Sequence, residues 1–129
     1  MCLRIAKGVS EKMAEADIIC YKILRVKDNG FETPYRYFSV VIGNTYHSDL
    51  NGEERTYYID IEEGLHSFAD ASDAEFLIFQ NENKYPNQTI KFVMAKCIIP
   101  KGSLYYKGKF NYYDSYASDC IRYEEIIKN

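Results

Sequence analysis

The chain has 129 residues, which fits a single domain over residues 1–129, and its 47% hydrophobic and 27% charged residues exclude a disordered chain. A formal net charge of -3 disfavours nucleic acid as a partner, since phosphate backbones are bound by a surplus of Lys and Arg. The sequence has neither an apolar run of roughly 18 residues nor the apolar core of a signal peptide, so we expect a cytoplasmic protein without a membrane partner.

The first half of the chain predicts short strands separated by turns. Residues 7–16 are compatible with a short N-terminal helix or a turn. Residues 17–26 are rich in β-branched and aromatic side chains and predict a buried strand. Asn29-Gly30 predicts a turn, residues 35–42 a second strand, and residues 45–50 a short third one. This spacing is typical of an antiparallel sheet.

The middle of the chain predicts one secure helix. Residues 51–55 read as a polar loop, and residues 56–61 as a strand. Ser72 is followed three residues later by Glu75, the spacing of a capping box, and apolar residues then recur at helical intervals. We therefore expect a helix over about 71–82.

The last third of the chain predicts further strands and completes the fold class. Residues 88–99 predict the strongest strand, residues 104–116 a hairpin or an irregular aromatic loop, and residues 119–127 a closing strand. Strands and helices do not alternate as in a parallel sheet, and no glycine-rich phosphate loop follows a strand. The expected fold is α+β, a mainly antiparallel sheet with one secure helix and a possible short N-terminal helix.

The cysteines and histidines predict no metal or cofactor. Cys2, Cys20, Cys97 and Cys120 are widely and irregularly spaced, without a C-x-x-C pair. Three of them lie in or beside apolar runs, where a thiol packs as a small hydrophobic group. We expect buried free thiols, no metal ligands and no cofactor.

The segment Gly64-Leu65-His66-Ser67-Phe68 supplies the first candidate site. His66 could act as an acid, a base or a ligand, because histidine titrates near neutral pH. It could equally be a structural residue whose ring nitrogens bond backbone carbonyls at a corner. His66 and Ser67 point to opposite faces of an extended segment, so they cannot readily form a nucleophile–base pair. We interpret the segment as a structural corner that also frames a pocket.

The tyrosines supply the second candidate site. The chain has 13 Tyr and no Trp. One interpretation is packing on amphipathic strands, where the ring is buried and the hydroxyl stays wet. The other is a stacking surface, on which aromatic faces and a lysine bind a sugar or an anionic ligand. The candidates for ligand binding in this segment are Tyr105, Tyr106, Lys107 and Tyr113.

Two resemblances concern the second half of the chain. "GLHSF" at 64–68, "KCIIPKGSLYYKG" at 96–108 and "SYASDCIRYEEI" at 115–126 resemble small uncharacterised bacterial and phage proteins with a G-[FL]-H element and a late A-S-x-x-I strand. That resemblance implies no activity. The segment 64–68 is also similar to the G-x-x-S-F element of ADP-ribosyltransferases, in which the serine supports the nicotinamide site. The carboxylate pair that this family carries before its late strand has no match in "MAKCII".

Together these patterns favour a small intracellular domain that binds a ligand or a protein without catalysis. The alternative is a small enzyme, ADP-ribosyltransferase-like or a hydrolase, that uses a pocket near His66. The sequence leaves open whether the protein is an enzyme, which ligand or protein is its partner, and how many copies assemble.

Overall fold

The structure is a computed structural model that describes residues 3–34, 37–84, 91–110 and 112–128. These residues form one helix, α1 (Ala71–Lys84), and thirteen strands. The strands, in chain order, are β1 (Leu3–Ala6), β2 (Lys12–Met13), β3 (Ile18–Lys27), β4 (Gly30–Glu32), β5 (Ser39–Val40), β6 (Thr45–His47), β7 (Asn51–Glu54), β8 (Tyr58–Glu63), β9 (Leu65–Phe68), β10 (Lys91–Ile99), β11 (Leu104–Phe110), β12 (Tyr113–Ser118) and β13 (Cys120–Lys128).

The strands form one curled sheet with the order β6-β13-β10-β3-β9-β12-β11-β1-β8-β7. Strand β2 adds to β11, β4 adds to β3, and β5 adds to β4. Every strand pair in the described residues is antiparallel. The α+β prediction is therefore right in outline, with the sheet dominating.

Alternation along β3 defines the two faces of the sheet. Cys20 and Leu24 lie in the largest buried cluster, and we call their side of the sheet the thiol face. Ile23 lies on the opposite side in a second cluster with Ala74 and Ile78 of α1, and we call that side the helix face. A third cluster, built from Leu3, Ile5, Ile61 and Ala117, extends the helix face toward β1 and β8. Both faces of the central strands are thus covered.

Helix α1 confirms the helix that was expected over about 71–82. Ala74 is fully buried and Ile78 nearly so, at helical spacing on one side, and both pack against Ile23 and Met94. Phe68 of β9 joins the same cluster and adjoins the helix start. The helix therefore fixes the position of the corner that carries His66.

The possible short N-terminal helix over residues 7–16 is wrong. Gly8 adopts a φ of +89°, and Lys12–Met13 form β2, which pairs with Leu104 and Tyr105 of β11. A helix of this length has a costly nucleus and few bonds to repay it, whereas β11 offers an unpaired edge. Pairing with the sheet therefore prevails over local helix propensity.

Most predicted strands are confirmed. Strands β3, β6, β8, β10 and β13 match the segments predicted at 17–26, 45–50, 56–61, 88–99 and 119–127, although residues 88–90 lie outside the described residues. Of the strand expected at 35–42, only β5 is a strand, and residues 35 and 36 lie outside the described part. The polar loop expected at 51–55 is wrong, because 51–54 form β7 against β8.

Of the two alternatives predicted for the aromatic segment 104–116, a hairpin and an irregular loop, the hairpin is correct. Strand β11 pairs with β12 in continuous register from Tyr105↔Ser118 to Phe110↔Tyr113. Gly108 lies where β11 crosses β1: a Cβ there would press on the Arg4 carbonyl oxygen and lie 2.7 Å from Ile5 Cγ2. Glycine is therefore required for the close approach of the two strands.

Two further findings concern the cysteines and membrane spans. Cys20, Cys97 and Cys120 are buried free thiols, as the sequence predicts. Among the residues that the structure describes, none of the helical segments combines the length and apolar character of a membrane span.

Candidate functional site

The His66 corner is closed by the backbone around it. His66 Nε2 lies 3.1 Å from the Ile61 carbonyl oxygen, and Nδ1 lies 3.2 Å from the Gly64 carbonyl oxygen. Burial lowers the pKa of His66, any charge carried by the nearby Lys22 lowers it further, and the two carbonyls oppose the shift. A neutral ring donates one N–H to only one of the two oxygens. Neither nitrogen is left pointing at an open space, which favours the structural interpretation of this histidine.

The sheet divides the predicted site residues between its two faces. Tyr106 is registered with Ala117, and Ala117 with His66, so these side chains share the helix face. Tyr113 packs in the cluster of that face, edge-on to Phe68 at 6.3 Å between ring centroids. The two tyrosines on this face therefore act as packing groups.

The other predicted residues meet on the thiol face. Ser67 is registered with Tyr116, and Tyr116 with Lys107, so the three side chains form one line across β9, β12 and β11. Lys107 Nζ lies 5.9 Å from the Tyr116 ring centroid, and Tyr105 meets that ring edge-on at 5.9 Å. We call Ser67, Tyr105, Lys107 and Tyr116 the thiol-face strip.

The strip continues into the core toward Lys22, a residue that the sequence interpretation missed. Lys22 lies on β3 between Cys20 and Leu24, both fully buried, and opposite Ala95, which is also fully buried. Because alternate residues share a face, its side chain points to the thiol face. The signal was present in "IICYKILRV", where a lysine occupies an apolar position of the alternation.

The amine of Lys22 has no acceptor. Within the described residues, no hydrogen bond or ion pair reaches its Nζ, although the side chain is only half-buried. Burial lowers the pKa of Lys22. A lysine held among apolar groups without a counter-ion favours the neutral amine.

Ser67 is the second polar group on this face without a partner. Its Oγ is fully buried and makes no hydrogen bond of ordinary length in the described part of the chain. It lies near enough to the Cys20 thiol to lower the pKa of that thiol, although burial outweighs this effect. Lys22 and Ser67 therefore place two unused donors on one face, beside the rings of the thiol-face strip.

The two thiols on this face are chemically quiet. Cys20 and Cys97 are directly opposite each other on β3 and β10, and both are fully buried. Burial raises the pKa of Cys20 to about 11 and raises that of Cys97 further above its ordinary value. Since the thiolate is the reactive form, these cysteines are unreactive and pack as small apolar side chains.

A separate charged depression of about 690 Å³ lies at the turn between β7 and β8. Two cations line it, and both are already paired: Arg55 contacts Glu53, Glu62 and Asp60 at 3.1–3.3 Å, and Lys7 contacts Glu54 at 3.4 Å. Because carboxylates already neutralise these cations, this surface has less to offer an anion than the thiol face.

Neither a metal site nor a similarity to known proteins assigns a function. In the described ranges, no three His, Cys, Asp or Glu side chains are grouped to hold a metal ion. No family model matches the chain, and comparison with curated proteins and with solved structures finds no match. The side chains of the site therefore carry the functional argument.

Proposed function

We propose that the chain is a non-enzymatic binding domain for small organic anions with a planar or apolar body, and that the thiol-face strip is its binding surface. The observation that carries the proposal is an unpaired cation beside aromatic rings. Lys107 Nζ lies 5.9 Å from the Tyr116 ring centroid, and no carboxylate within the described residues pairs with it. The chain as a whole is acidic, which makes an unpaired cation on this face more distinctive.

The neighbouring charges support the choice of Lys107. Lys109 is two residues away on the same strand, but its Nζ lies 2.6 Å from Asp114 Oδ1. Arg4 likewise pairs with Asp60 at 3.5 Å. Lys107 is thus available to an incoming anion, while Tyr105 and Tyr116 provide edges and faces against which a planar group packs.

The alternative of an enzyme built on His66 has less support, because both of its ring nitrogens face backbone carbonyls. A protein-binding function has one observation in its favour. Tyr37, Phe38 and Val41 are 57%, 61% and 57% exposed and lie within five residues of chain. Exposed apolar patches often mark protein contacts. The protein-binding function has less support than anion binding, because part of this patch is already in contact: the Tyr37 ring centroid lies 4.9 Å from the Arg25 guanidinium.

The test is a fluorescence titration with 1-anilinonaphthalene-8-sulfonate, a planar anion. We expect saturable binding that weakens about fivefold in Lys107→Gln, the loss of roughly 1 kcal/mol of charge interaction. Lys101→Gln is the matched control, since Lys101 is exposed on a turn and its loss changes the net charge equally. Equal affinities of the two variants would contradict the proposed site. Loss of binding in Phe38→Ser instead would favour the exposed patch at 37–41.

A further inference from the structure

Lys22 is the group that the binding proposal does not need and that the fold holds in an unusual setting. Its neighbours along the strand and across it are Cys20, Leu24 and Ala95, each with no exposed surface. Lysine is almost never placed in such surroundings unless it is paired. The described residues supply no pair. Its half-buried side chain nevertheless keeps part of its surface accessible.

The titratable groups that surround the amine cannot neutralise a charge there. Cys20 is on the same strand, Cys97 and Tyr123 are on β10 and β13 in the same buried cluster, and Tyr116 packs against that cluster from β12. All four have pKa values raised by burial, so they stay protonated and neutral around physiological pH. None is a carboxylate, and the nearby His66 is a base as well. No group around the amine therefore opposes burial, which lowers the pKa of Lys22.

A neutral amine in an apolar setting is a nucleophile toward carbonyl carbon. We propose that Lys22 is a carbonyl-reactive lysine, which condenses with the aldehyde or 2-oxo group of a small organic acid held on the thiol-face strip. The nitrogen lone pair adds to the carbonyl carbon and forms a carbinolamine. The oxygen then leaves as water with the two amine hydrogens, and an imine bond between carbon and nitrogen remains.

Ser67 and Lys107 give this step its surroundings. Ser67 Oγ is buried without a partner and lies by Cys20, the residue next to Lys22 on the same face. It can donate to, or accept from, the carbinolamine hydroxyl, which explains a polar group left unused in the free protein. Lys107 lies further along the line and is available to the carboxylate of the acid. This inference rests on the proposed binding surface and adds the reactive group of its ligand.

The test is reductive trapping with glyoxylate, which carries an aldehyde next to a carboxylate. The folded protein is incubated with glyoxylate and cyanoborohydride, and peptide mass spectrometry measures the rate of carboxymethylation at each lysine. At pH 7 we expect Lys22 to react on the order of tenfold faster than exposed Lys101, because burial lowers the pKa of Lys22 and so raises the fraction of its amine that is neutral. In urea-unfolded protein the two rates should become similar.

The pH profile separates a reactive amine from one that is merely accessible. Between pH 7 and pH 9 the rate at Lys22 should change much less in the folded protein than in the urea-unfolded protein, where the neutral fraction of an ordinary lysine rises about tenfold per pH unit. A rate at Lys22 equal to or below that of Lys101 at pH 7 would overturn the inference. So would parallel pH profiles.

The two proposals can fail separately. If the planar anion binds and Lys107→Gln weakens it, but Lys22 reacts no faster than Lys101, then the binding surface stands and the reactive lysine is refuted. If Lys22 is trapped selectively while Lys107→Gln changes neither the affinity nor the trapping rate, the strip is refuted as the binding surface, and with it the combined reading.

Discussion

His66 and Lys22 are both basic side chains that lie partly inside the sheet, but the described residues give hydrogen-bond acceptors to the first and none to the second. Each is a half-buried basic side chain on the sheet. The corner turns two backbone carbonyls, of Ile61 and Gly64, toward the His66 ring. The pair β3–β10 surrounds Lys22 with thiols and apolar groups and offers no acceptor. A buried polar group with partners holds the fold together, whereas one without partners costs stability and stays available for a ligand.

The largest expected effect is the loss of the satisfied group. His66→Ala removes the ring N–H that donates to one of the Ile61 and Gly64 carbonyls and leaves a gap behind the corner, so we expect a loss of about 2–3 kcal/mol of unfolding free energy. Urea denaturation at pH 7.5 measures it. His47→Ala is the control, since His47 is exposed and should change stability by less than about 0.5 kcal/mol. Equal losses of unfolding free energy in His66→Ala and His47→Ala would contradict a stabilising role of the His66 corner.

Lys22→Met should act in the opposite direction. The methionine fills a similar volume, and no amine has to be desolvated, so we expect a gain of about 1–2 kcal/mol. Thermal and urea unfolding at pH 7 measure it, with Lys101→Met as the exposed control. A clear loss of stability in Lys22→Met would mean that the amine has a stabilising partner, and Lys22 would then resemble His66 instead of differing from it.

The advantage of Lys22→Met should shrink as the pH rises. The pKa of Lys22 is lowered in the folded state by burial, so between that pKa and the ordinary value of 10.5 the unfolded chain binds more protons than the folded one. Wild-type stability therefore gains from this group as the pH increases through that window. Unfolding of both proteins at pH 7, 8, 9 and 10 tests this. A constant difference would show that the pKa is not lowered.

His66 should produce a pH effect on the acid side. Burial lowers its pKa below 6.5, so the unfolded state binds the extra proton first as the pH falls, and the stability contributed by the neutral ring is lost through that window. Unfolding curves from pH 7.5 to pH 5 should decline more steeply in wild type than in His66→Gln. A slope in His66→Gln equal to that of the wild type would contradict this expectation.

The smallest effect is expected at two buried serines that differ only in their partners. Ser67→Ala removes a hydroxyl without a hydrogen bond and should change stability by about 0.5 kcal/mol or less, or raise it slightly. Ser118 Oγ donates to the Cys120 carbonyl oxygen at 3.0 Å, and Ser118→Ala should cost about 1 kcal/mol. A larger loss at Ser67 than at Ser118 would show that Ser67 has a partner in solution.

The sequence predicted best where side-chain pattern and local structure agree. Strand β10 and helix α1 carry their own periodicity, and both were found within a few residues. Strand β7, with the residues NGEE, has no such pattern and is a strand only because β8 lies beside it. Residues 7–16 failed for the same reason, since β11 decides their conformation. Tertiary pairing overrides weak local propensity at the sheet edges.

The candidate site shows the same limit in another form. The sequence placed Ser67, Tyr105 and Lys107 among the candidates, and register alone brings them to one face of the sheet. It could not separate them from Tyr106 and Tyr113, because the face of each residue depends on which strand lies opposite. Lys22 was overlooked inside a run that reads as ordinary core, although a charge within an apolar alternation is a visible anomaly.

The long separation between β3 and its main partner has a consequence for the way the chain acquires its fold. Strand β3 pairs from Ile18 to Val26 with β10, which follows only after residue 90. At a synthesis rate of about 5–20 residues per second, β3 waits several seconds for this partner. Sheets assembled from such distant strands fold slowly, on the order of milliseconds to seconds. Helix α1 and the hairpin of β11 and β12 are local and do not depend on such distant partners.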